Sequence, residues 1–289
     1  MNIVQIHSGL GNQMFQYAFL LALRHRHPDS KADTSVYRYR PSHNGYELDR
    51  VFGINETLAT PQECHRLADV SKAFWPDLRR KLGFVQQREG TVINEPDPAE
   101  GCRPEVLEKD NCYFIGYWQS EKYFADIADE IRCAFTFHLP LTISADAKRT
   151  QITSCNSVSI HIRRTDYLKP RRIKDYNVCT PDYYQRAIAY MQSYVPGCRF
   201  FVFSDDYNWV KANMDFPVGT VLIQGFNGRN AWQDMYLMSL CRHNIIANSS
   251  FSWWAAWLNN NPDKIVIAPS QWFRNRPRPD IVPEQWIRL

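Results

Sequence analysis

The chain has 289 residues, 44% of them hydrophobic, 14% aromatic and 22% charged. That length and mix describe a folded protein with core enough for two domains. A net charge of +4 is too small for a dedicated nucleic-acid binder, but is compatible with an anionic small ligand or a loose hold on an acidic membrane surface.

No run approaches the roughly 18 continuous apolar residues of a membrane span. The N-terminus, Met1-Asn2-Ile3-Val4-Gln5-Ile6-His7, has neither a basic n-region nor a long apolar h-region, so the protein is expected to stay where it is made. The eight cysteines include no C-x-x-C pair, which argues against zinc or a disulfide framework. Asn55-Glu56-Thr57 and Asn248-Ser249-Ser250 match the glycosylation triplet and are discounted without a secretion signal.

Strand alternates with helix along the chain, which predicts α/β architecture with parallel sheets. Ile3 to His7 is the first predicted strand. A helix follows over Asn12–Arg26, with Phe15, Ala18, Phe19 and Ala22 on one face. Further helices are predicted near Gln62–Lys72, Phe74–Leu82 and Glu121–Phe135, and a strand over Cys112–Tyr117. A boundary is expected near Leu139–Ser154, whose polar part suits a linker helix. The second half is cleaner. Strands are predicted at Ser157–Ile162, Arg199–Phe203, Asn244–Ala247 and Lys264–Ala268. Helices are predicted at Pro181–Ser193, opened by Thr180 and Pro181, and at Trp232–Arg242 and Ser250–Asn259.

Polar residues gather at four strand-to-helix junctions, where parallel sheets bind ligands. His161-Ile162-Arg163-Arg164-Thr165-Asp166-Tyr167 places two fixed cations, a histidine and a carboxylate at a strand end. The planar guanidinium fork suits a diphosphate, while a solvated turn with an ordinary ion pair is the plainer alternative. Ser204-Asp205-Asp206 ends the next strand. Asn248-Ser249-Ser250-Phe251 opens a helix, where these side chains either cap the backbone or join its N–H groups in holding phosphate. His7-Ser8-Gly9-Leu10-Gly11-Asn12-Gln13 is a glycine turn lacking the third glycine of a dinucleotide fingerprint. There Asn12 and Gln13 are candidates for bonding a phosphate or sugar, or Asn12 simply caps the helix.

Gly9-Leu10-Gly11-Asn12-Gln13-Met14-Phe15-Gln16-Tyr17-Ala18 resembles the start of the α-1,2-fucosyltransferases of glycosyltransferase family 11. His161–Tyr167 looks like the H-x-R-R-x-D motif shared by α-1,2-, α-1,6- and protein O-fucosyltransferases. Phe203–Asp206 and Asn248–Trp254 resemble later motifs, in order, so the likeness runs from residue 9 to about residue 258. It implies a GT-B-like fold, two Rossmann-like domains with parallel sheets facing a cleft. Residues 1–145 would be mainly the acceptor side and 146–289 the donor side. It implies an inverting transfer of L-fucose from GDP-β-L-fucose to O2 of a galactose. The implied acceptor is a galactose-terminated oligosaccharide, free or lipid-linked, with no nucleic-acid partner. Without an anchor segment the chain resembles a bacterial, cytoplasmic member, with peripheral contact at the inner membrane face left open.

The same resemblance assigns Arg163 to the β-phosphate. His161, Asn248, Ser249, Ser250 and Phe251 are expected around the nucleotide, Asp205 is expected to orient guanine, ribose or a loop amide, and Gly11 and Asn12 reach the donor from the first domain. Arg164 is expected to be structural, paired with Asp166. No D-x-D occurs, so no metal or other cofactor is expected and arginine is the counter-charge. Asp166 is the nominal base, with an ion pair to Arg163 or Arg164 as the alternative. Lys169, Arg171, Arg172 and Lys174 form either a solvated flexible loop, or a lid or a contact with the pyrophosphate of a lipid-linked acceptor. A fucosyltransferase of another linkage, α-1,6-like, and a non-catalytic nucleotide-sugar or glycan-binding protein are the rival readings.

Overall fold

The computed structural model describes residues 1–39, 42–68, 78, 82, 90–170 and 172–289. The chain divides into two compact units, Met1–Leu139 and Pro140–Leu289.

The first unit is built on a four-stranded parallel sheet of β1 (Ile3–Gln5), β2 (Lys31–Asp33), β3 (Val92–Asn94) and β4 (Tyr113–Ile115), in the order β2-β1-β4-β3. Each strand is only three residues long. That is too short for alternation to announce β2 or β3, and neither is expected from sequence. Helix α1 (Leu10–Arg24) starts two residues before its expected position and is not amphipathic. All its residues but Asn12 and Arg24 are buried, because the sheet lies on one side and Phe114, Trp118, Tyr123 and Phe135 pack around it. The expected helix over Glu121–Phe135 is broken into two 3₁₀ turns and a short helix, Ala128–Ala134. Phe124, at φ −137°, leaves the helical region and is buried against Phe15. The Gln62–Lys72 expectation is met by Pro61–Leu67, capped by Thr60 and Glu63. Residues 69–72 and nearly all of Phe74–Leu82 lie outside the described residues.

Two buried glutamines of α1 brace this sheet edge. Gln16 Oε1 accepts from the His7 backbone N–H at 2.9 Å, and its Nε2 donates to the Gly116 carbonyl at 2.8 Å, joining the ends of β1 and β4. Gln13 donates to the carbonyls of Ser8 and Gly45 and accepts from the Glu47 N–H. Gln13 is therefore engaged within the fold and not available to a sugar or phosphate. Replacing Gln16 by leucine strands one backbone donor and one acceptor, and is expected to cost about 2–3 kcal/mol of stability. A urea midpoint unchanged from wild type would refute that role.

The second unit carries a six-stranded parallel sheet of β5 (Ser157–Ile162), β6 (Arg199–Ser204), β7 (Val221–Gln224), β8 (His243–Ile245), β9 (Val266–Ala268) and β10 (Ile287–Arg288). Its order is β10-β9-β8-β5-β6-β7, with every paired strand parallel. The chain runs from β5 outward to β7, then returns to build β8 on the other side of β5. This reversal puts a topological switch point between β5 and β8, the place where open α/β sheets bind ligands beyond their carboxyl ends. Val158, Ile160 and Ile162 face one side of β5, against helix Pro181–Tyr194 through Tyr184, Ala187, Ile188 and Met191. The polar stretch after Leu139 is helix Ile143–Thr153, which belongs to the second unit, with Thr142 bonded to Gln233. Among the described residues no helix is long and apolar enough to cross a membrane.

Candidate active site

Three sequence motifs of the second unit meet at the carboxyl ends of β5, β6 and β8. The Asp205 carboxylate accepts from the backbone N–H groups of Arg164 (2.8 Å) and Thr165 (3.2 Å) and from the Thr165 hydroxyl (2.5 Å). Of the roles open to it, Asp205 takes that of holding loop amides. It also pairs with Arg163 Nη1 at 3.2 Å. Asp166 grips Arg163 from the other side, 2.7 Å from Nη2. Arg163 is thus aimed by two carboxylates, with Tyr167 beside it at 5.8 Å from ring centroid to Cζ.

Asp166 also pairs with Arg172, so both its oxygens are engaged by arginine. A general base needs a lone pair facing the proton it takes. This geometry favours the ion-pair alternative, with Arg163 as the partner. Arg164 does not pair with Asp166. Its guanidinium lies 3.2 Å from the Trp209 ring centroid and 3.3 Å from Asp206, which also caps helix Tyr207–Asn213. That arrangement makes Arg164 structural. In the basic run, Arg172 is anchored to Asp166, Arg171 lies outside the described residues, and Asp175 fastens the segment to Arg276.

His161 is 6% exposed, its Nδ1 is buried without a hydrogen-bond partner, and its ring stands 6.0 Å from Phe251. Burial, aided by the nearby Arg163 charge, pushes its pKa down to about 4. The ring is neutral at physiological pH.

At the end of β8, Ser249 is the N-cap of helix Ser250–Leu258, yet its side chain makes no capping bond. The first-turn N–H groups and the Ser249 and Ser250 hydroxyls have no side-chain capping partner among the described residues, which leaves the arrangement suited to an anion. Asn248 sits differently from its neighbours. It is buried, its amide donates to the carbonyls of Tyr176 (3.1 Å) and Trp272 (2.9 Å), and its oxygen faces Cys179 Sγ. Its side chain braces the loop, with its amide nitrogen and oxygen both engaged inside the fold. Tyr167 donates to the Asn248 carbonyl at 2.8 Å, tying the β5 loop to the β8 loop.

One residue escaped sequence reasoning. Asp234 lies in the first turn of helix Trp232–Ser239, and its Oδ1 is buried with no partner. Oδ2 accepts from Phe226 N–H at 3.1 Å. A Cβ at Gly225 would come within 3.1 Å of both Oδ2 and the Ser204 carbonyl, so glycine lets the carboxylate approach the ends of β6 and β7. Burial lifts this carboxyl to about 7. Its signal in the sequence was one acid inside the apolar run Trp232–Met238.

In the first unit, Gly11 is buried within α1 and Asn12 is partly exposed in its first turn. Asn12 does not cap the helix: its Oδ1 accepts from Gln119 Nε2 at 2.8 Å, and Gly9 occupies the N-cap.

The family model for glycosyl transferase family 11 matches residues 106–289. An α-1,2-colitosyltransferase of Escherichia coli is 36% identical over 99% of this chain and 98% of its own length. The chain belongs to glycosyltransferase family 11. A galactoside α-(1,2)-fucosyltransferase 1 of Plecturocebus brunneus is 30% identical over 89% of this family 11 chain and 65% of its own. The crystal structure of NodZ α-1,6-fucosyltransferase soaked with GDP-fucose gives a TM-score of 0.51 at 13% identity, covering 89% of this chain and 91% of that one. At that identity the likeness concerns the fold, which is GT-B-like with two Rossmann-like units of parallel sheet. This member of the family is a glycosyltransferase.

Proposed function

We propose that this glycosyltransferase moves L-fucose from GDP-β-L-fucose to O2 of a galactose in a glycan, with inversion. Its acceptor would be a galactose-terminated oligosaccharide, and residues 146–289 would hold the donor. The observation that carries the reading is Arg163, fixed by Asp166 and Asp205 beside a helix N-terminus with uncapped amides. Charge develops on the β-phosphate as the sugar–phosphate bond breaks. A preorganised guanidinium and free backbone N–H groups stabilise that charge without a metal, which makes metal independence part of the proposal. Asp166 then aims Arg163 and does not take the acceptor proton.

Asp234 supports guanine as the base. Guanine offers neighbouring N1–H and N2–H₂ donors to a carboxylate, whereas adenine's corresponding edge presents a ring acceptor. The unpartnered Oδ1 of Asp234 is the acceptor proposed for that edge.

A second reading concerns only the donor sugar. The 36% identity to a colitosyltransferase favours testing colitose, which is 3-deoxy-L-fucose. The decisive assay offers GDP-fucose and GDP-colitose separately, with lactose as acceptor and EDTA present. Fucosyl transfer to galactose O2 that survives EDTA is expected. Transfer from GDP-colitose alone would replace the donor, EDTA-sensitive transfer would remove metal independence, and donor binding without turnover would favour a non-catalytic binder.

A further inference from the structure

We propose that residues 272–276 form a strap that sets the spacing between Arg163 and the serine helix, with Asp175 and Arg276 as positioning residues that act on the reaction through Arg163. The inference rests on the reading of Arg163 as the group that meets developing charge, and it names what keeps that group on target.

The segment follows β9, which runs parallel beside β8, so it emerges at the sheet edge that carries Arg163 and Ser249. Its first residue reaches one wall of the proposed anion site. The Trp272 carbonyl accepts from the Asn248 amide at 2.9 Å, directly before the Ser249 N-cap. Its last three residues reach the other wall. Arg274 donates its backbone N–H to the Asp175 carbonyl at 2.9 Å and its Nη2 to the Asn177 carbonyl at 3.0 Å. Asn275 Nδ2 donates to Asp175 Oδ1 at 3.3 Å, and Arg276 Nη2 pairs with Oδ2 at 2.8 Å. These bonds clasp the turn at residues 172–177. Arg172 opens that turn and holds Asp166, which grips Arg163.

A second route runs through rings. Phe273 meets Tyr176 edge-on at 4.8 Å, Tyr176 meets Tyr167 at 4.7 Å, and Tyr167 lies beside the Arg163 guanidinium. Tyr167 in turn donates to the Asn248 carbonyl. Strap, turn, arginine loop and serine helix therefore form a closed circuit of contacts. In a closed circuit no member shifts without moving the others. Trp272 and Phe273 are buried, which anchors the strap at one end.

The clasp at the other end is ill suited to a stabilising role. Arg276 is 61% exposed, and exposed ion pairs contribute little to stability. Asp175 nevertheless engages both oxygens and its carbonyl with one tripeptide. Hydrogen bonds from Arg276 and Asn275 hold its carboxyl below the usual carboxylate range, so the clasp stays charged. What such a clasp supplies is fixed geometry. A misplacement of about 1 Å at a reacting centre lowers a rate by about a hundredfold. A weak contact remote from the scissile bond thus acts on kcat without acting on folding.

The test uses the full chain, lactose, and whichever of GDP-fucose and GDP-colitose supports transfer. Asp175→Asn and Arg276→Ala are each expected to lower kcat about tenfold, with the donor KM within about twofold of wild type and the thermal midpoint unchanged. The double variant is expected to lose no more than either single one. In the Arg163→Ala background, followed at raised enzyme concentration, Asp175→Asn should lower kcat no further. An equal loss with and without Arg163 would make the contact general packing and overturn the inference. So would a normal kcat in either single variant, or a loss that tracks a lowered midpoint. A normal kcat in Arg163→Ala removes the reading of Arg163 and the strap's role with it, whereas a loss there beside normal strap variants removes the strap alone. Should neither donor turn over, amide hydrogen exchange of residues 164–177 decides. Faster exchange in Asp175→Asn at an unchanged midpoint upholds the strap, and equal exchange overturns it.

Discussion

Arg163→Ala is expected to lower the transfer rate by about a hundredfold to a thousandfold, the range seen when one fixed donor to developing charge is removed. The loss should appear in kcat, because the charge on the leaving diphosphate grows in the transition state. Arg163→Lys is expected to recover little. Lysine keeps the charge but not the fork that spans Asp166 and Asp205 while presenting further N–H groups outward. Alanine also leaves those two carboxylates without their shared cation, so the thermal midpoint must be measured beside the rate. A lysine variant with near-normal kcat at saturating donor would remove Arg163 from the mechanism. Asp166→Asn complements it: if Asp166 only aims Arg163, the acidic limb of the pH–rate profile keeps its position while its height falls.

Asp234→Asn is expected to weaken GDP binding by about tenfold to a hundredfold, the scale of hydrogen bonds to a charged group, while raising stability at pH 7. Two results of opposite sign make this a demanding test. Asp234 has a folded pKa raised to about 7 from an ordinary 3.8, so its contribution to stability is complete below 3.8 and is lost as pH rises through 7. His161 has a folded pKa lowered to about 4 from 6.5, so its contribution is present above 6.5 and is lost as pH falls through 4. Between about pH 4 and 6.5 the two slopes oppose each other. The asparagine variant removes the opposing carboxyl slope and leaves those of the buried histidines, His161 with His7 and His243, so its thermal midpoint should climb more steeply from pH 5 to pH 7 than that of wild type. Parallel midpoint curves would show that Asp234 carries no buried proton.

The most clearly legible elements are the ones with enough length to show a period. β5 and β6 are six residues each, and helix Pro181–Tyr194 announces its start with Thr180 and Pro181. β2, β3, β7 and β10, of two to four residues, went unpredicted, whereas β1, β4, β8 and β9, three residues each, were expected. Helix α1 misled in another way. Its apolar face was read correctly, but burial on every side comes from the aromatic residues at 114–135, which no local window contains. In the site, the H-x-R-R-x-D segment was visible as charge at a strand end. The partner of each charge was not: Asp205 turned to loop amides and Arg163, and Arg164 to Asp206 and Trp209, through contacts spanning about forty residues. Asp234 stayed hidden because its significance lies in what it lacks, a partner for Oδ1.

The order of strands in the second sheet has a consequence for how the protein comes into being. β5 is flanked on one side by β6 and on the other by β8, whose Asn244 meets Ser159 across 85 residues of chain. A nascent polypeptide halted after β7 would display Arg163 with one edge of its strand bare and no serine helix beside it. The proposed anion cradle cannot be assembled piecemeal by a shorter fragment, and on that proposal ligand capture by this unit must wait until β8 has docked.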